Sequence, residues 1–487
     1  MVGRSTTSLL ALSLLVACAH GGVDAPGASL GPSGTGLTPP IQVLEERGLH
    51  RIETDGRDRY EYLVRYRVLT EEGAQAWRTI EATWSPWRQE RPELTATVET
   101  PDGQRLTLDP SSVSVSPVDA DGPSPRLRVS AEIPGVTVGA LVEQRVVQAD
   151  TVPLIPGSTS GRFYFGMRVP VGRSVLVLDV PRSQPVAVEV RGTELEPTLE
   201  ETADRRRFTY QVATLDPLGP VDKHLPGDIA RHPHVAWSTA PTWKGLEAAL
   251  SRSVQRRLDT AELATLVEGV EGPRPEVVLS ALERLRALVS ETGRHPGEAP
   301  IVPLHPEETL ARGQGADVDV AALLVGLLGS LGLDARLAFL RAGPGEDVRP
   351  DLPGLDAFNR VVVRVEGPAP LWVDPFDRSL APGQLPPELQ GRWALVLGTP
   401  DLQKTPGPSA LDNRYLEHRV FALPDYGRAR VVERTQAFGS IGARLRRQLR
   451  GEGDTRAAIA AYVRGQYGAG DLGEVEMTDP ADLRTPI

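Results

Sequence analysis

Between Ile41 and Trp237 apolar and polar residues alternate with a period of two, as in strands that bury one face and wet the other. The runs are Arg59 to Leu69 (RYEYLVRYRVL), Thr79 to Trp87, Arg126 to Ile133, Ala140 to Gln148, Ser174 to Val180, Val186 to Gly192 and Arg206 to Val212. Turn residues separate them, notably Pro101-Asp102-Gly103 and Pro134-Gly135. The pattern predicts an N-terminal antiparallel β-sandwich over residues 41–237.

After Thr242 the period lengthens to three and four. Helices are predicted over Trp243 to Leu258, Thr260 to Val270 and Glu276 to Glu291. A further segment, Asp319 to Leu333, is apolar on nearly every side and belongs in a core, with Gly332 as its C-cap. Strands follow at Ala335 to Gly343, Phe358 to Gly367 and Pro370 to Asp377, so residues 238–405 read as a central α+β domain. Residues 406–487 form a short C-terminal α/β unit: strands His418 to Leu423 and Ala429 to Gly439, then helices Ile441 to Arg450 and Arg456 to Tyr467. It stops just after strand-like GEVEMTD and reads as incomplete. The fold class expected is α+β multidomain.

The first 40 residues fit neither period. Arg4, an apolar run from Leu9 to Val16 and small residues before Cys18 make residues 1–17 an export signal, too short to span a bilayer. Leu15-Val16-Ala17-Cys18 resembles the bacterial lipobox, which implies that Cys18 is acylated and becomes the new N-terminus. Two acyl chains and an acylated amine anchor stably where one chain binds only marginally. Residues 18–40, rich in Gly, Pro, Ser and Ala, are a flexible tether. The expected location is the bacterial cell envelope, lipid-anchored and facing the periplasm, with Ala19 favouring the outer membrane under the enteric sorting rule.

Composition narrows the function. A net charge of −11 argues against nucleic acid and gives no reason to lie on anionic lipid, so the membrane is a partner only through the lipid on Cys18. Cys18 is the single cysteine, which leaves no disulfide framework and no thiol in the folded body.

A run of phrases then carries a resemblance: TPDGQRLTLDP (Thr100 to Pro110), IPGVTVGALVEQR (Ile133 to Arg145), GRFYFGMRVPVGRSVLVLDVP (Gly161 to Pro181), HPEETLARGQGADVDVAALLVGLLGSLGLDARL (His305 to Leu337), FNRVVVRV (Phe358 to Val365), LWVDPFD (Leu371 to Asp377) and LPPELQGRWALVL (Leu385 to Leu397). Their order resembles bacterial exported proteins in which an uncharacterised N-terminal β-domain precedes a transglutaminase-like domain of the papain-like superfamily. That resemblance implies a cysteine at the start of the buried helix, a histidine after Phe-Asn and an aspartate in Leu-Trp-x-Asp-Pro. The helix N-terminus and imidazole would lower the thiol pKa, and the acid would orient the imidazole. Here the cysteine position is Asp317 and the histidine position is Arg360; Asp374 still matches. A carboxylate is no thiolate nucleophile and a guanidinium does not shuttle protons near neutral pH.

The degenerate triad positions Asp317, Arg360 and Asp374 are therefore expected to form a salt-bridged cluster, with no catalytic residue among them. The expected function is a catalytically inactive transglutaminase-like pseudoenzyme that binds an envelope protein or peptide. Its candidate groove residues are Asp319, His305, Asn359 and Trp372. The competing reading is a cysteine-independent amidase or peptidase, or a transglutaminase-like enzyme, using Asp317, Asp319 and Asp374 and helped by His305. No cofactor and no metal are called for: His232-Pro233-His234 lacks a third nearby ligand, and Asp317 and Asp319 sit where carboxylates cap a helix. Trp84, Trp87, Trp237, Trp243, Trp372 and Trp393 are read mainly as packing residues, and the basic run Arg444 to Arg450 as a solvated helix face.

Overall fold

The computed structural model describes residues 38–119, 126–219, 229–230, 232–258, 263–343, 347–451, 455–468 and 470–487. The expected export signal, Cys18 and all but the end of the expected tether lie outside the described residues. Among those described there are seven α-helices: α1 (Glu71–Ala76), α2 (Trp243–Leu258), α3 (Arg274–Leu288), α4 (Pro306–Arg312), α5 (Asp317–Ser330), α6 (Gly439–Arg450) and α7 (Thr455–Tyr467). No described helix is long and apolar enough to cross a membrane. The protein is a multidomain α+β fold.

Its contacts divide it into two units. The first takes the chain up to Ser253 together with Arg294–Val302 and Pro344–Asn359; the second takes Val254–Gly293, Pro303–Gly343 and Arg360–Ile487. Three segments of the expected central domain, residues 238–253, Arg294–Val302 and Pro344–Asn359, thus belong with the first unit, and residues 406–487 group with the second.

In the first unit an eight-stranded sheet runs in the order Thr198–Glu201, Arg205–Leu215, Val171–Pro181, Ile41–Ile52, Asp58–Val68, Leu141–Ala149, Glu93–Glu99 and Arg105–Thr107. Two three-stranded sheets accompany it, one of Thr79–Trp84, Arg126–Glu132 and Ser114–Asp119, the other of Ala187–Arg191, His234–Ser238 and Ser160–Tyr164. The large sheet is not wholly antiparallel as expected. Ile41–Ile52 pairs in parallel with Val171–Pro181 while pairing antiparallel with Asp58–Val68. Alternation says which side chains face inward; it carries no signal for the direction of a neighbour that arrives from more than a hundred residues away.

The first unit's core gathers Ile41, Val43, Tyr66, Val142, Phe165, Leu176, Leu178 and Trp237. Gly161 is required there: a Cβ would lie 2.5 Å from the Trp237 ring, so only glycine lets the strand pass over the indole.

In the second unit a five-stranded antiparallel sheet runs Leu371–Val373, Arg360–Val365, Ala335–Leu340, Trp393–Val396 and Gln403–Lys404. Helix α5 packs against its Ala335–Leu340 and Arg360–Val365 strands. The helix is buried along nearly its whole length, as its all-round apolar sequence requires. It ends in a Schellman motif: Gly332 is left-handed (φ 74°), its amide reaches the Gly329 carbonyl at 2.9 Å, and the Leu333 amide reaches Leu328 at 3.0 Å. The expected helix over Thr260 to Val270 reduces, in the described part, to one 3₁₀ turn at Ala264–Val267. Leu263 and Val267 are buried there, and Leu263 approaches Gly326 of α5 so closely that a Cβ on that glycine would meet it at 2.6 Å. Tertiary contact thus replaces helical continuation. GEVEMTD forms no strand.

Candidate functional site

Asp317 is the first residue of α5 and has no accessible surface. A carboxylate withdrawn from water needs a charged or hydrogen-bonding partner, and the helix N-terminus supplies only part of this. Arg360 supplies a charge: its Nη1 lies 3.3 Å from Asp317 Oδ2, with 34% of the arginine side chain exposed and none of the aspartate. Arg360 opens the Arg360–Val365 strand opposite Leu340 of the neighbouring strand, so sheet register holds the guanidinium at the helix start.

Asp374 follows the Leu371–Val373 strand, which pairs with the Arg360 strand. Its Oδ1 accepts from the amides of Phe376 at 2.9 Å and Asp377 at 3.4 Å, an Asx-type turn closing the Asp-Pro-Phe-Asp corner. Burial pushes its carboxyl up to about 6; the two amide bonds and the nearby Arg360 charge pull the other way without cancelling the burial. The structure therefore gives Asp317 to Arg360 as an ion pair, while Asp374 shares their electrostatic field and takes these hydrogen bonds from its own turn.

Asp319, two residues on, is a fastener. Its Oδ2 accepts from the Ala316 amide at 2.9 Å, the reach-back half of a capping box, and its Oδ1 accepts from the Leu304 amide at 2.8 Å. Both oxygens are thereby used to tie the segment before α4 to the N-terminus of α5. Gly315 permits the approach, since a Cβ there would stand 2.8 Å from Asp319 Cβ and 3.0 Å from Thr309 Cγ2. His305 is the N-cap residue of α4, next in sequence to Leu304, and its Nδ1 stands 3.9 Å from Glu307.

The other candidates separate. Trp372 is 4% exposed and packs with Ala338, Leu340, Val362, Leu385, Leu389, Ala394 and Val396; Arg364 lies over its ring at 5.7 Å. It is a core side chain and does not line a groove, because its place in the sheet turns the indole into the cluster. Asn359 is half-buried immediately before the strand that carries Arg360. Trp84, Trp237 and Trp243 are buried like Trp372, whereas Trp87 and Trp393 are half-buried. His234 is wholly buried in its strand, with Nδ1 2.9 Å from the His232 carbonyl. Among the described residues no group of three His, Cys, Asp or Glu side chains stands together as metal ligands would.

Sequence reasoning missed a set of buried polar groups in the first unit. His50 lies 2.6 Å from Asp58, stacks on Tyr60 at 4.3 Å between ring centroids and meets Trp237 at a tilt at 4.5 Å. Asp150 accepts from Arg88 at 2.7 Å and from Gln89 at 3.3 Å. Glu46 accepts from the hydroxyls of Tyr62 and Ser174, each at 2.9 Å, and burial pushes its carboxyl up to about 7. A bulge between Val43 and Glu45 hides the signal: it shifts the parity of the first strand and turns Glu46 and His50 inward.

With this geometry established, comparison with solved structures defines the fold. The chain is similar to a crystal structure from Parabacteroides distasonis described as a "putative protease", with TM-score 0.63, 14% identity, and coverage of 79% of this chain and 78% of that one. It also aligns with an M1 zinc metallopeptidase from Deinococcus radiodurans at TM-score 0.22 and 11% identity, over 42% of this chain and 43% of that one; so weak a superposition carries no argument. At the level of sequence, residues 54–218 match the family model described as a domain of unknown function with solved-structure structure, DUF3857. No curated protein matches the chain.

Proposed function

We propose that this chain is a non-catalytic relative of transglutaminase-like enzymes that binds a protein or peptide in the bacterial envelope, held at the membrane by lipid on Cys18. One observation carries the reading. The positions that the resemblance assigns to a cysteine nucleophile and its histidine are occupied by Asp317 and Arg360, which are ion-paired at 3.3 Å. A carboxylate that is fully buried and held by a guanidinium is a structural fastening: it is not exposed to a substrate carbonyl. Asp319, the nearest other carboxylate in the motif, already accepts two backbone amides.

A second reading has one observation in its favour: Asp374, pushed up to about 6, would hold a proton in mildly acidic solution as a general acid must. It requires that Asp374→Asn abolish a hydrolytic activity while leaving the fold intact.

The deciding experiment assays the parent and the double variant Asp317→Cys with Arg360→His for amide hydrolysis and amine incorporation on glutamine-containing peptides. The pseudoenzyme reading expects no turnover by the parent and a gain in the variant. Turnover by the parent at the variant's rate overturns it.

A further inference from the structure

In the second unit, arginines from two helices and a turn converge on the corner that follows Asp374. Arg286, in the last turn of α3, donates from Nε to the Pro375 carbonyl at 3.1 Å and from Nη2 to the Asp377 carbonyl at 2.9 Å. From the last turn of α6, Arg447 pairs with Asp377 at 2.8 Å and Arg450 donates to the Arg378 carbonyl at 2.7 Å. Arg378 adds a further guanidinium; it is exposed, and none of the described residues accepts a hydrogen bond from it or forms an ion pair with it. The basic run over residues 444–450, expected as a solvated face, thus turns partly inward. It even buries Arg446, whose guanidinium is taken by the carbonyls of Pro480, Asp482 and Thr485.

A helix C-terminus favours a cation, which accounts for Arg286, Arg447 and Arg450 one at a time. It does not account for Arg378, which lies in a turn and crowds the others with like charge. That crowding shows on Arg286: burial first, then the Arg378 charge, bring its guanidinium down to about 10, Arg450 pushes the same way, and Asp374 and Asp377 oppose without cancelling them. Both carboxylates are already engaged. Asp374 accepts the Phe376 and Asp377 amides, and Asp377 accepts the Ser379 amide at 2.8 Å besides Arg447. Asp479 and Asp482 act on Arg446 instead. Arg286, Arg378, Arg447 and Arg450 against Asp374 and Asp377 leave two positive charges over, on a chain whose net charge is −11.

A dianion cancels that surplus. Donors arriving from two helices and a turn suit a tetrahedral oxyanion, whereas a planar carboxylate is satisfied by the parallel N–H groups of one guanidinium. We propose that residues 375–378 with Arg286, Arg447 and Arg450 form a binding site for a phosphoryl group, carried by free phosphate or by a phospholipid headgroup. This site is independent of the reading at Asp317 and Arg360.

The test uses the full chain with inorganic phosphate as the probe, at about pH 8, where phosphate is a dianion, and at constant ionic strength. Isothermal titration calorimetry should show saturable binding of phosphate, with acetate at least about tenfold weaker. Arg378→Gln should weaken phosphate binding at least about tenfold. Without phosphate the same variant should unfold at a higher temperature than the wild type, because it relieves the repulsion; a residue that only fastens the corner moves the midpoint the other way. Phosphate should raise the wild-type midpoint and leave the variant's unchanged. Arg59→Gln, at an exposed position in the first unit, should bind phosphate as the wild type does. Flotation of the Cys18→Ala chain with vesicles of phosphatidylcholine, alone or with about 20% phosphatidic acid, separates the two sources. Recruitment by phosphatidic acid that inorganic phosphate competes away assigns the headgroup, and phosphate binding without recruitment assigns the free ion. No phosphate binding, equal binding of acetate, unchanged affinity in Arg378→Gln, a lowered midpoint of that variant, or equal loss in Arg59→Gln overturns the proposal.

Discussion

Glu46 lies in the middle of the eight-stranded sheet, between the strands that carry its hydrogen-bonding partners Tyr62 and Ser174. Burial raises its carboxyl from 4.5 to about 7, against the opposing pull of the bonds from Ser174, Tyr62 and the Gly166 amide. The folded state therefore holds a proton that the unfolded chain releases above about pH 4.5. Below that pH both states are protonated and the first unit has the full benefit. Stability is then lost as pH rises towards 7, and above 7 both states are ionised and the loss is complete. With about 1.36 kcal/mol per pH unit over the interval from 4.5 to about 7, the loss totals about 3 kcal/mol. Glu46→Gln is neutral throughout and should not show it. Urea unfolding of wild type and variant, followed by tryptophan fluorescence from pH 4.5 to 8.5, isolates the effect in the difference between the two curves. The variant should gain on the wild type by about 3 kcal/mol across the interval and stay level above it. A difference that is independent of pH, or that moves the other way, refutes the reasoning.

Arg360→Ala leaves the Asp317 carboxylate buried without its cation. Because Arg360 is about one-third exposed, the expected cost is roughly 1–3 kcal/mol, below that of a wholly buried pair, and Asp317→Asn in the same chain should recover much of it in thermal unfolding. Trp372→Ala should cost about 3–5 kcal/mol by opening a cavity in the second sheet, with no selective effect on peptide binding; a loss of binding at unchanged stability would return the indole to a groove. Metabolic labelling with a tagged fatty acid should mark the wild type and not Cys18→Ala, and equal labelling of both refutes lipidation at that residue.

Particular residues show why some features were legible and others were not. The buried helix was readable because its apolar residues leave no wet face and Gly332 marks its end; the structure moves its start only to Asp317. The five-residue strands Ser160–Tyr164 and His234–Ser238 were missed because so few positions, in the second buried on both faces, do not distinguish a strand from loop. The partners of Asp319 were illegible for a different reason: a carboxylate two places into a helix reads as a local cap, whereas the Leu304 amide reaches it across a separate helix and turn.

By itself the sequence determined the α+β class, most helix positions, the placing of Asp317 and Arg360 where the resemblance leads one to expect cysteine and histidine, and the absence of any thiol beyond Cys18. These are properties of residue identity and short-range period, which the chain carries before it folds. Only the tertiary structure decided the parallel pairing of Ile41–Ile52 with Val171–Pro181, the bulge that buries Glu46 and His50, the core position of Trp372 and the pairing of Asp319 with the Leu304 amide. Each depends on which distant segment comes to lie alongside. Backbone hydrogen bonding accepts any strand partner, and only the whole packed chain selects one.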